Sequence, residues 1–185
     1  MLSHTSAARR ALLSLGGLGL LAACAEPTPQ VQSQPARNLT DLLASDSSFE
    51  RFVAAASRTG LSQTLSGAGP YTVFAFTNSG WDSLPAFQRE SLLGPDVQRL
   101  ATVMNSLVVD GRVPISSLSG QRRELTTRQG TRLVVDATNP QRVAVESAGL
   151  AAGVGAAGLR TAYLVRQDIE ASNGILHVLS QIVLP

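Results

Sequence analysis

The spacing of apolar residues predicts helices in the first part of the folded body. Apolar positions recur every three or four residues over 38–65 and again over 85–106, and this spacing places them on one face of a helix. Ser47-Ser48-Phe49-Glu50 matches a capping box for the second helix of the first stretch. In the second stretch Gly94-Pro95 interrupts the pattern, and Asp96 can start the next helix by favourable interaction with its dipole. We therefore expect several short helices before residue 107.

Short segments rich in β-branched and aromatic residues predict strands. The first, Tyr71–Ala75, lies between the two helical stretches. The others are Leu107–Val109, Glu124–Thr127, Thr131–Val135, Arg142–Val145, Ala162–Gln167 and Ile175–Val183. Both alternating sets of the last segment are apolar, so we expect that strand to be central and covered on both faces. Asn173-Gly174, just before it, predicts a hairpin turn with positive φ at both residues.

Helices early and short strands late predict an α+β domain. Gly, Asn-Pro and Asn-Gly turns separate the strands, which favours antiparallel sheets over the regular strand-helix alternation of a parallel sheet. The chain has 185 residues, 44% of them apolar, which suits one domain that buries its core without a metal or disulfide. A single cysteine and two histidines exclude an internal disulfide and Cys₂His₂ or Cys₄ zinc sites.

The first 24 residues differ from the rest and predict an export signal. A positive opening precedes Ala11–Ala23, an uncharged run of 13 residues. At about 1.5 Å per residue this run is too short for a hydrocarbon core of about 30 Å. Leu21-Ala22-Ala23-Cys24 resembles the bacterial lipobox, which implies that residues 1–23 are cleaved and that the Cys24 thiol carries diacylglycerol. We expect stable membrane attachment, because two or three acyl chains hold a protein far better than one.

The residues around the cysteine bear on where the protein goes. In Gram-negative sorting an Asp directly after the cysteine commonly retains a lipoprotein in the inner membrane, and Ala25 stands there instead, so the outer membrane is the expected destination. Arg9-Arg10 leaves Sec and twin-arginine export both open. An ordinary secretory peptide is the alternative, but its cleavage needs no cysteine. Residues 24–37 read as the lipidated N-terminus and a Pro/Gln-rich tether, and the folded domain is expected at 38–185.

The charge of the chain argues against a nucleic-acid partner. All 15 basic side chains are arginine, and removal of residues 1–23 leaves 13 of them against 13 acidic side chains. The mature chain therefore has no basic surplus for binding phosphate. The local cluster of Arg122-Arg123, Arg128 and Arg132 is followed by few aromatics for stacking. We expect these arginines to flank exposed strands.

Two stretches resemble the conserved boxes of fasciclin domains. The first is Gly69-Pro70-Tyr71-Thr72-Val73-Phe74-Ala75-Phe76-Thr77-Asn78-Ser79-Gly80-Trp81, and the second is Ser172-Asn173-Gly174-Ile175-Leu176-His177-Val178-Leu179 with Leu184-Pro185. The similarity covers residues 38–185. It implies a fasciclin-like wedge of antiparallel-rich β-sheets with short helices packed around one side. It also implies a family of extracellular adhesion and surface modules with no common catalytic activity.

This sequence departs from the family pattern in several places. Phe76 stands where proline is usual, and Gly80 where alanine is usual. Ser106-Leu107 occupies the place of the Tyr-His pair that many members carry, so any role of that pair is absent here. Asp168-Ile169 resembles a dipeptide associated with integrin binding in animal members. For a bacterial lipoprotein we interpret Asp168 instead as a charged residue at a strand exit.

The sequence pattern predicts no catalytic, cofactor-binding or metal-binding residue. His177 is expected to be a neutral core histidine bonded to backbone, because a metal site or proton relay lacks partners. Gly153–Gly158 matches G-x-G-x-x-G, but it lacks the preceding buried strand and the following helix of a dinucleotide site. Asp168 and Glu170 could share a strand face as a carboxylate pair, yet solvated strand ends fit them better. Cys24, as the lipidation site, is the one functional residue assigned.

The leading hypothesis is a non-enzymatic, lipid-anchored envelope protein. Its fasciclin-like domain would mediate adhesion or contacts with a protein or polysaccharide, and the membrane would be reached through the lipid. The alternative is a carrier that holds a small apolar ligand, such as a carotenoid or lipid. That ligand would lie in a cleft between sheet and helices, with the Gly/Ala-rich loop 148–159 as its lid. An enzyme is disfavoured because acid, base and metal groups are missing from the pattern.

Replacement of Cys24 tests the anchor. Without the thiol no diacylglycerol can be attached, so we expect Cys24→Ser to move from the membrane pellet to the soluble fraction. Fractionation followed by immunoblotting measures the distribution. The tether variant Ser33→Ala serves as the control and should stay with the membrane. Equal membrane retention of the wild type and Cys24→Ser would contradict the lipid anchor.

Overall fold

The computed structural model describes residues 37–148 and 161–185. Within these ranges the helices lie in the two stretches where the spacing predicts them, except the short helix Asn78–Asp82, which follows the first strand directly. They are α1 Leu39–Ala44, α2 Glu50–Arg58, α3 Leu61–Leu65, α4 Asn78–Asp82, α5 Ala86–Leu93 and α6 Val97–Asn105. Two 3₁₀ turns, Ser47–Phe49 and Ile115–Leu118, accompany them. The break at Gly94-Pro95 is confirmed, and the Asp96 side chain caps α6 by accepting from the Gln98 and Arg99 amides.

The strands of the described residues form one seven-stranded sheet with the order β2-β1-β7-β6-β5-β4-β3. The strands are β1 Tyr71–Phe76, β2 Val108–Asp110, β3 Arg122–Thr126, β4 Arg132–Asp136, β5 Ala144–Ser147, β6 Thr161–Ala171 and β7 Gly174–Leu179. The two edge strands approach each other at an isolated bridge between Val109 and Thr127. This mixed sheet with its short helices confirms the α+β class.

One strand pair departs from the antiparallel pattern. β1 and β7 run parallel, with Tyr71 opposite Gly174 and Phe76 opposite Leu179, while the other pairs are antiparallel. Local turn residues set the direction of strands joined by a hairpin. The connection between β1 and β7 instead contains most of the domain, so no turn signal in the sequence reports its direction.

The core is built around the middle of the sheet. β7 lies between β1 and β6 and is buried at every position, which confirms the prediction of a central strand covered on both faces. At the end of β1, Phe76 packs between Phe52 of α2 and Trp81 of α4, with ring centroids 5.1 and 5.5 Å away. Such aromatic pairs add about 0.5–1.5 kcal/mol beyond the burial of their area, and they join α2 and α4 to the sheet.

The predicted capping box at Ser47–Glu50 is wrong. Asp46 caps the 3₁₀ turn that precedes α2, and α2 itself begins at Glu50 without a cap from its own neighbours. Instead, the Arg51 amide donates to Oδ1 of Asn78 at 3.0 Å, across 27 residues of sequence. An unpaired amide at a helix start needs an acceptor. Here the tertiary structure supplies that acceptor from another helix, which local sequence does not reveal.

The predicted positive-φ turn at Asn173-Gly174 is also wrong. Ala171 pairs with Gly174, so Ser172 and Asn173 form the turn, and neither Asn173 nor Gly174 is among the described residues with positive φ. Gly174 is required for another reason, because a Cβ there would overlap the backbone carbonyl of Tyr71 in β1. Glycine in a strand commonly marks such a close backbone approach.

Asn173 connects the turn to two helices. Its Oδ1 accepts from the Leu39 amide at 2.9 Å, and its Nδ2 donates to the carbonyls of Leu65 and Gly67, both at 2.7 Å. Its own carbonyl accepts from the Tyr71 amide at 3.0 Å. A single buried residue therefore holds together the start of α1, the end of α3, the start of β1 and the β6–β7 turn.

Truncation of Asn173 tests this role. Asn173→Ala leaves a buried amide and two carbonyls without their partners, and we expect a loss of about 3 kcal/mol in the free energy of unfolding, since each such group costs about 1–3 kcal/mol. Urea denaturation measures the loss. The control is Asn139→Ala, because the Asn139 side chain accepts from the Gln141 amide in an exposed turn. Its loss should lower the free energy of unfolding by less than about 1 kcal/mol. Equal losses in both variants would contradict the assigned role.

Candidate functional site

His177 on β7 is fully buried, and both of its ring nitrogens are bonded to backbone. Nδ1 accepts from the Asp168 amide at 3.1 Å, and Nε2 lies 3.1 Å from the Val113 carbonyl. Because Nδ1 acts as an acceptor, the neutral ring carries its proton on Nε2 and donates it to Val113. The expectation of a neutral core histidine bonded to backbone is confirmed.

Asp168 lies in an irregular part of β6, where the register with β7 shifts. Its φ of 55° falls in the left-handed region, which is uncommon for a residue with a side chain. Its carboxylate accepts from the Ile115 amide at 2.7 Å and from the Ser116 amide at 3.2 Å. The expectation of a solvated strand end is therefore wrong for Asp168, because its carboxylate accepts from the first two amides of the 3₁₀ turn Ile115–Leu118. Glu170, by contrast, is exposed.

These two side chains hold a segment that the sequence analysis did not single out. Gly111–Leu118, called the crossing segment below, is bonded to β1, β6 and β7. Thr72 Oγ1 donates to the Gly111 carbonyl at 2.7 Å and accepts from the Val113 amide at 3.0 Å. Arg112 donates to the Ala171 carbonyl at 2.9 Å. In the sequence, Gly111 and Pro114 mark the segment as irregular backbone but give no sign of these partners.

Burial lowers the pKa of His177 below its ordinary value of 6.5, because loss of water disfavours the charged ring. The hydrogen bond to Val113 and the charge of Asp168 act in the opposite direction. The Phe74 ring, with its centroid 5.2 Å from that of the imidazole, adds to the apolar surroundings. His177 is therefore neutral at pH 7 and serves as a structural group.

A second feature is a set of three exposed apolar side chains, at the start and the end of α5 and at the start of α6. Phe87, Leu93 and Val97, called the helical corner below, are 66%, 49% and 37% exposed. A surface cavity of about 270 Å³ adjoins it, lined by Arg51, Trp81, Asp82, Ala86, Arg89, Glu90 and Leu93. Large exposed apolar side chains rimmed by charged groups are typical of interaction sites.

A larger groove follows α1 and α2 on the surface. Its volume is about 460 Å³, and it is lined by Leu43, Ala44, Ser45, Asp46, Ser47, Glu50, Val53 and Ala54. Hydrogen bonds from Ser48 and Arg166 lower the pKa of Asp46 to about 2, so this wall of the groove carries a negative charge at neutral pH. The groove thus combines apolar and acidic surface.

The arginine cluster of the sequence is spread over exposed strands and loops, as expected. Arg122 bonds Glu146 at 2.9 Å and Arg132 bonds Glu124 at 3.3 Å. Arg128 bonds an aspartate, Asp110, at 2.7 Å. These pairs cancel much of the positive charge that a phosphate backbone would need.

Other predicted features lie outside the described residues. They are the lipidation site Cys24, the glycine motif Gly153–Gly158 and, apart from residue 148, the proposed lid 148–159. Within 37–148 and 161–185, no cluster of three or more His, Cys, Asp or Glu side chains could hold a metal. In the same part of the chain, none of the helices has the length and apolar character needed to cross a bilayer.

The fold and the site define an α+β domain in which buried polar side chains form hydrogen bonds with backbone groups. The fasciclin domain family model matches residues 47–185, and the chain belongs to that family. The Synechocystis sp. protein sll1483 is 29% identical over 157 residues, which cover 84% of this chain and 78% of that protein. The Sus scrofa transforming growth factor-beta-induced protein ig-h3 is 32% identical over 151 residues, which cover 82% of this chain and 20% of that protein.

Further relatives share the domain within longer chains. Human stabilin-1 is 29% identical over 152 residues, 82% of this chain and 5% of its own length. Among solved structures, the FAS1 domain pair of the insect cell adhesion molecule Fasciclin I superposes with a TM-score of 0.55 and 16% identity, over 74% of this chain and 45% of that one. That likeness shows the fold. The chain thus spans a small part of the animal proteins that it matches.

The departures from the family pattern have physical reasons here. Between the two departing positions, Thr77 caps α4 by accepting from the Gly80 amide at 3.3 Å. Phe76 fills the space between two other aromatic rings. An added Cβ at Gly80 would lie 3.2 Å from the Ser180 carbonyl and from Cα of Gln181. Glycine at this position therefore lets the segment after β7 approach α4.

The buried histidine predicts that stability depends on pH. Its pKa is lower in the folded protein than in the unfolded chain, so its contribution is fully present above pH 6.5 and is lost as the pH falls below that value. We expect the free energy of unfolding to decrease by up to about 1.4 kcal/mol per pH unit below 6.5. Urea titrations at pH 7.5 and 5.5 measure it. His177→Gln keeps a donor and an acceptor without titrating, and an unchanged pH dependence in this variant would refute the assignment.

Proposed function

We propose that this protein is an exported, lipid-anchored envelope protein whose fasciclin domain mediates adhesion without catalysis. The domain would contact a protein or polysaccharide at the cell surface. Membership of the fasciclin domain family and the likeness to a domain pair from a cell adhesion molecule support the contact role. The lipobox-like Leu21–Cys24 supports the anchor, and Ala25 supports the outer membrane as its location.

The proposed arrangement places the domain at the end of a tether. Residues 1–23 would be removed as a signal peptide, and residues 24–37 would connect the acylated cysteine to the domain at 38–185. An extended chain covers up to about 3.3 Å per residue, so this tether would allow a reach of a few tens of ångströms. The domain could then meet partners beyond the lipid surface.

The helical corner is the observation that carries the contact role. Phe87 is two-thirds exposed, although it is a large aromatic side chain of the kind that dominates binding energies at interfaces. Arg58 donates to the carbonyls of Leu93 and Gly94, which steadies the end of α5 beside the exposed Leu93. A preformed apolar surface loses little conformational entropy on binding.

A non-catalytic mechanism is favoured because the groups suited to catalysis are committed to structure. His177 and Asp168 both hold backbone of the crossing segment. A general acid or base must instead face a substrate within hydrogen-bond reach. The domain would therefore act by surface complementarity.

Substitution at the helical corner tests this function. We expect Phe87→Ser/Leu93→Ser to reduce partner capture from the host envelope at least tenfold, since truncation of a central anchor commonly costs about 2 kcal/mol. The tagged full chain is used as bait, and protease or polysaccharide-degrading treatment of the envelope identifies the class of partner. The control is Val165→Ser, which removes a side chain that is 58% exposed on β6. Undiminished capture by the double variant would contradict this surface.

A second candidate function is carriage of a small apolar ligand such as a carotenoid or lipid. The space between sheet and helices that the sequence analysis considered is filled in the described part by the buried core. The groove along α1 and α2, at about 460 Å³, has the volume of a small-molecule site and favours this candidate. Native mass spectrometry and visible absorbance of the purified full chain distinguish the two, because a carrier retains its ligand.

A further inference from the structure

The crossing segment is held to the sheet by polar bonds from several strands. Thr72 of β1 makes two of them, His177 of β7 makes one, and Asp168 of β6 makes two. Arg112, within the segment, reaches the end of β6. His177 is the member of this set whose side-chain type has its ordinary pKa closest to neutral pH. The attachment of Gly111–Leu118 therefore includes a hydrogen bond from a side chain, His177, that can gain a proton.

The surroundings of His177 contain few charges. Asp168 of β6 is the nearest anion, with Oδ1 at 3.9 Å from Nδ1 of the ring. Glu170, on the same strand, is exposed, and Arg112 of the crossing segment bonds the Ala171 carbonyl. β7 and the 3₁₀ turn Ile115–Leu118 carry no charged side chain other than His177 itself, and β1 adds one titratable group, the phenol of Tyr71. The protonated ring would depend on Asp168 for compensation.

Protonation of Nδ1 conflicts with the geometry on this side of the ring. Nδ1 now accepts the Asp168 amide proton, and a proton on Nδ1 would place two donors against each other. The nearest acceptor for the new proton is the Asp168 carboxylate, but its two oxygens hold the Ile115 and Ser116 amides. Oδ1 lies 3.9 Å from Nδ1, so the carboxylate has to shift towards the ring to meet the imidazolium, and that shift lengthens its bonds to the two amides.

We propose that the crossing segment Gly111–Leu118 is an acid-released strap, closed while His177 is neutral and opened when the ring is protonated. Opening uncovers Thr72 and His177 on one face of the β1–β7 pair, and it also takes the buried side chains of Ile115 and Leu118 out of the core. The hydrogen bonds of the Asn173 side chain do not involve the crossing segment, so they persist in the open form. The device gives the domain a second surface at the acidic end of the physiological range.

The size of the effect follows from proton linkage. If the ring titrates near its ordinary pKa of 6.5 in the open form and stays neutral in the closed form, the opening constant rises about 30-fold between pH 7.5 and 5.0. Each further decrease of one pH unit below 5.0 increases the opening constant about tenfold.

Hydrogen exchange of the full chain in detergent, read by mass spectrometry at pH 7.5 and 5.0, tests the proposal. After correction for the intrinsic pH dependence of exchange, we expect amides of residues 111–118 to be less protected than those of β1 and β7 at pH 5.0. Their opening constant should be about 30-fold larger than at pH 7.5. Protection equal to that of β1 at both pH values would mean that no separate opening exists, and it would overturn the proposal.

Variants separate the histidine from other acid effects. His177→Gln should abolish the pH dependence of exchange in residues 111–118. Asp168→Asn keeps an acceptor for one of the two amides, Ile115 or Ser116, and removes the anion beside the ring, so the acid transition should move to lower pH. Glu170→Gln, a carboxylate two residues away and exposed, should behave as wild type. A pH dependence that survives in His177→Gln, or that shifts equally in Glu170→Gln, would overturn the assignment to His177.

Discussion

A buried amide side chain that must satisfy its hydrogen bonds holds this domain together. The Asn173 side chain bonds backbone groups at the start of α1 and at the end of α3. Its backbone carbonyl accepts from the amide at the start of β1. Each of these groups would cost about 1–3 kcal/mol if left unpaired in the core. The missing side chain of Gly174 then lets β1 lie directly beside β7. The parallel pair at the centre of the sheet depends on these two adjacent residues.

The same constraint applies to the other polar side chains of the interior. Thr72, Asp168 and His177 are all directed at backbone groups of the crossing segment, which lacks a regular strand to pair with. An irregular segment on a sheet must find partners for its amides and carbonyls, and these side chains provide them. Exposed apolar and acidic side chains lie on the outside, at the helical corner and along the α1–α2 groove.

Sequence reasoning succeeded where the signal is local or periodic. The bounds of most helices and strands follow the apolar spacing within a few residues, and the doubly apolar Ile175–Leu179 correctly marked the central strand. It failed where the partner is distant in the chain. Asn78 caps a helix 27 residues earlier, and Asp168 reaches back 53 residues to Ile115. Asn173 resembled a turn residue, while its contacts extend 134 residues to Leu39.

The sequence by itself determined the α+β class, the order of the elements, the neutral charge after removal of residues 1–23 and the kinship with fasciclin domains. These properties depend on periodicity and composition, which act over a few residues or over the whole chain. Tertiary structure alone decided the parallel β1–β7 pair, the cap on α2, the role of Asp168 and the path of the crossing segment. Each of these rests on a hydrogen bond or a close backbone approach between residues far apart in sequence, and such partners become known when the chain is folded.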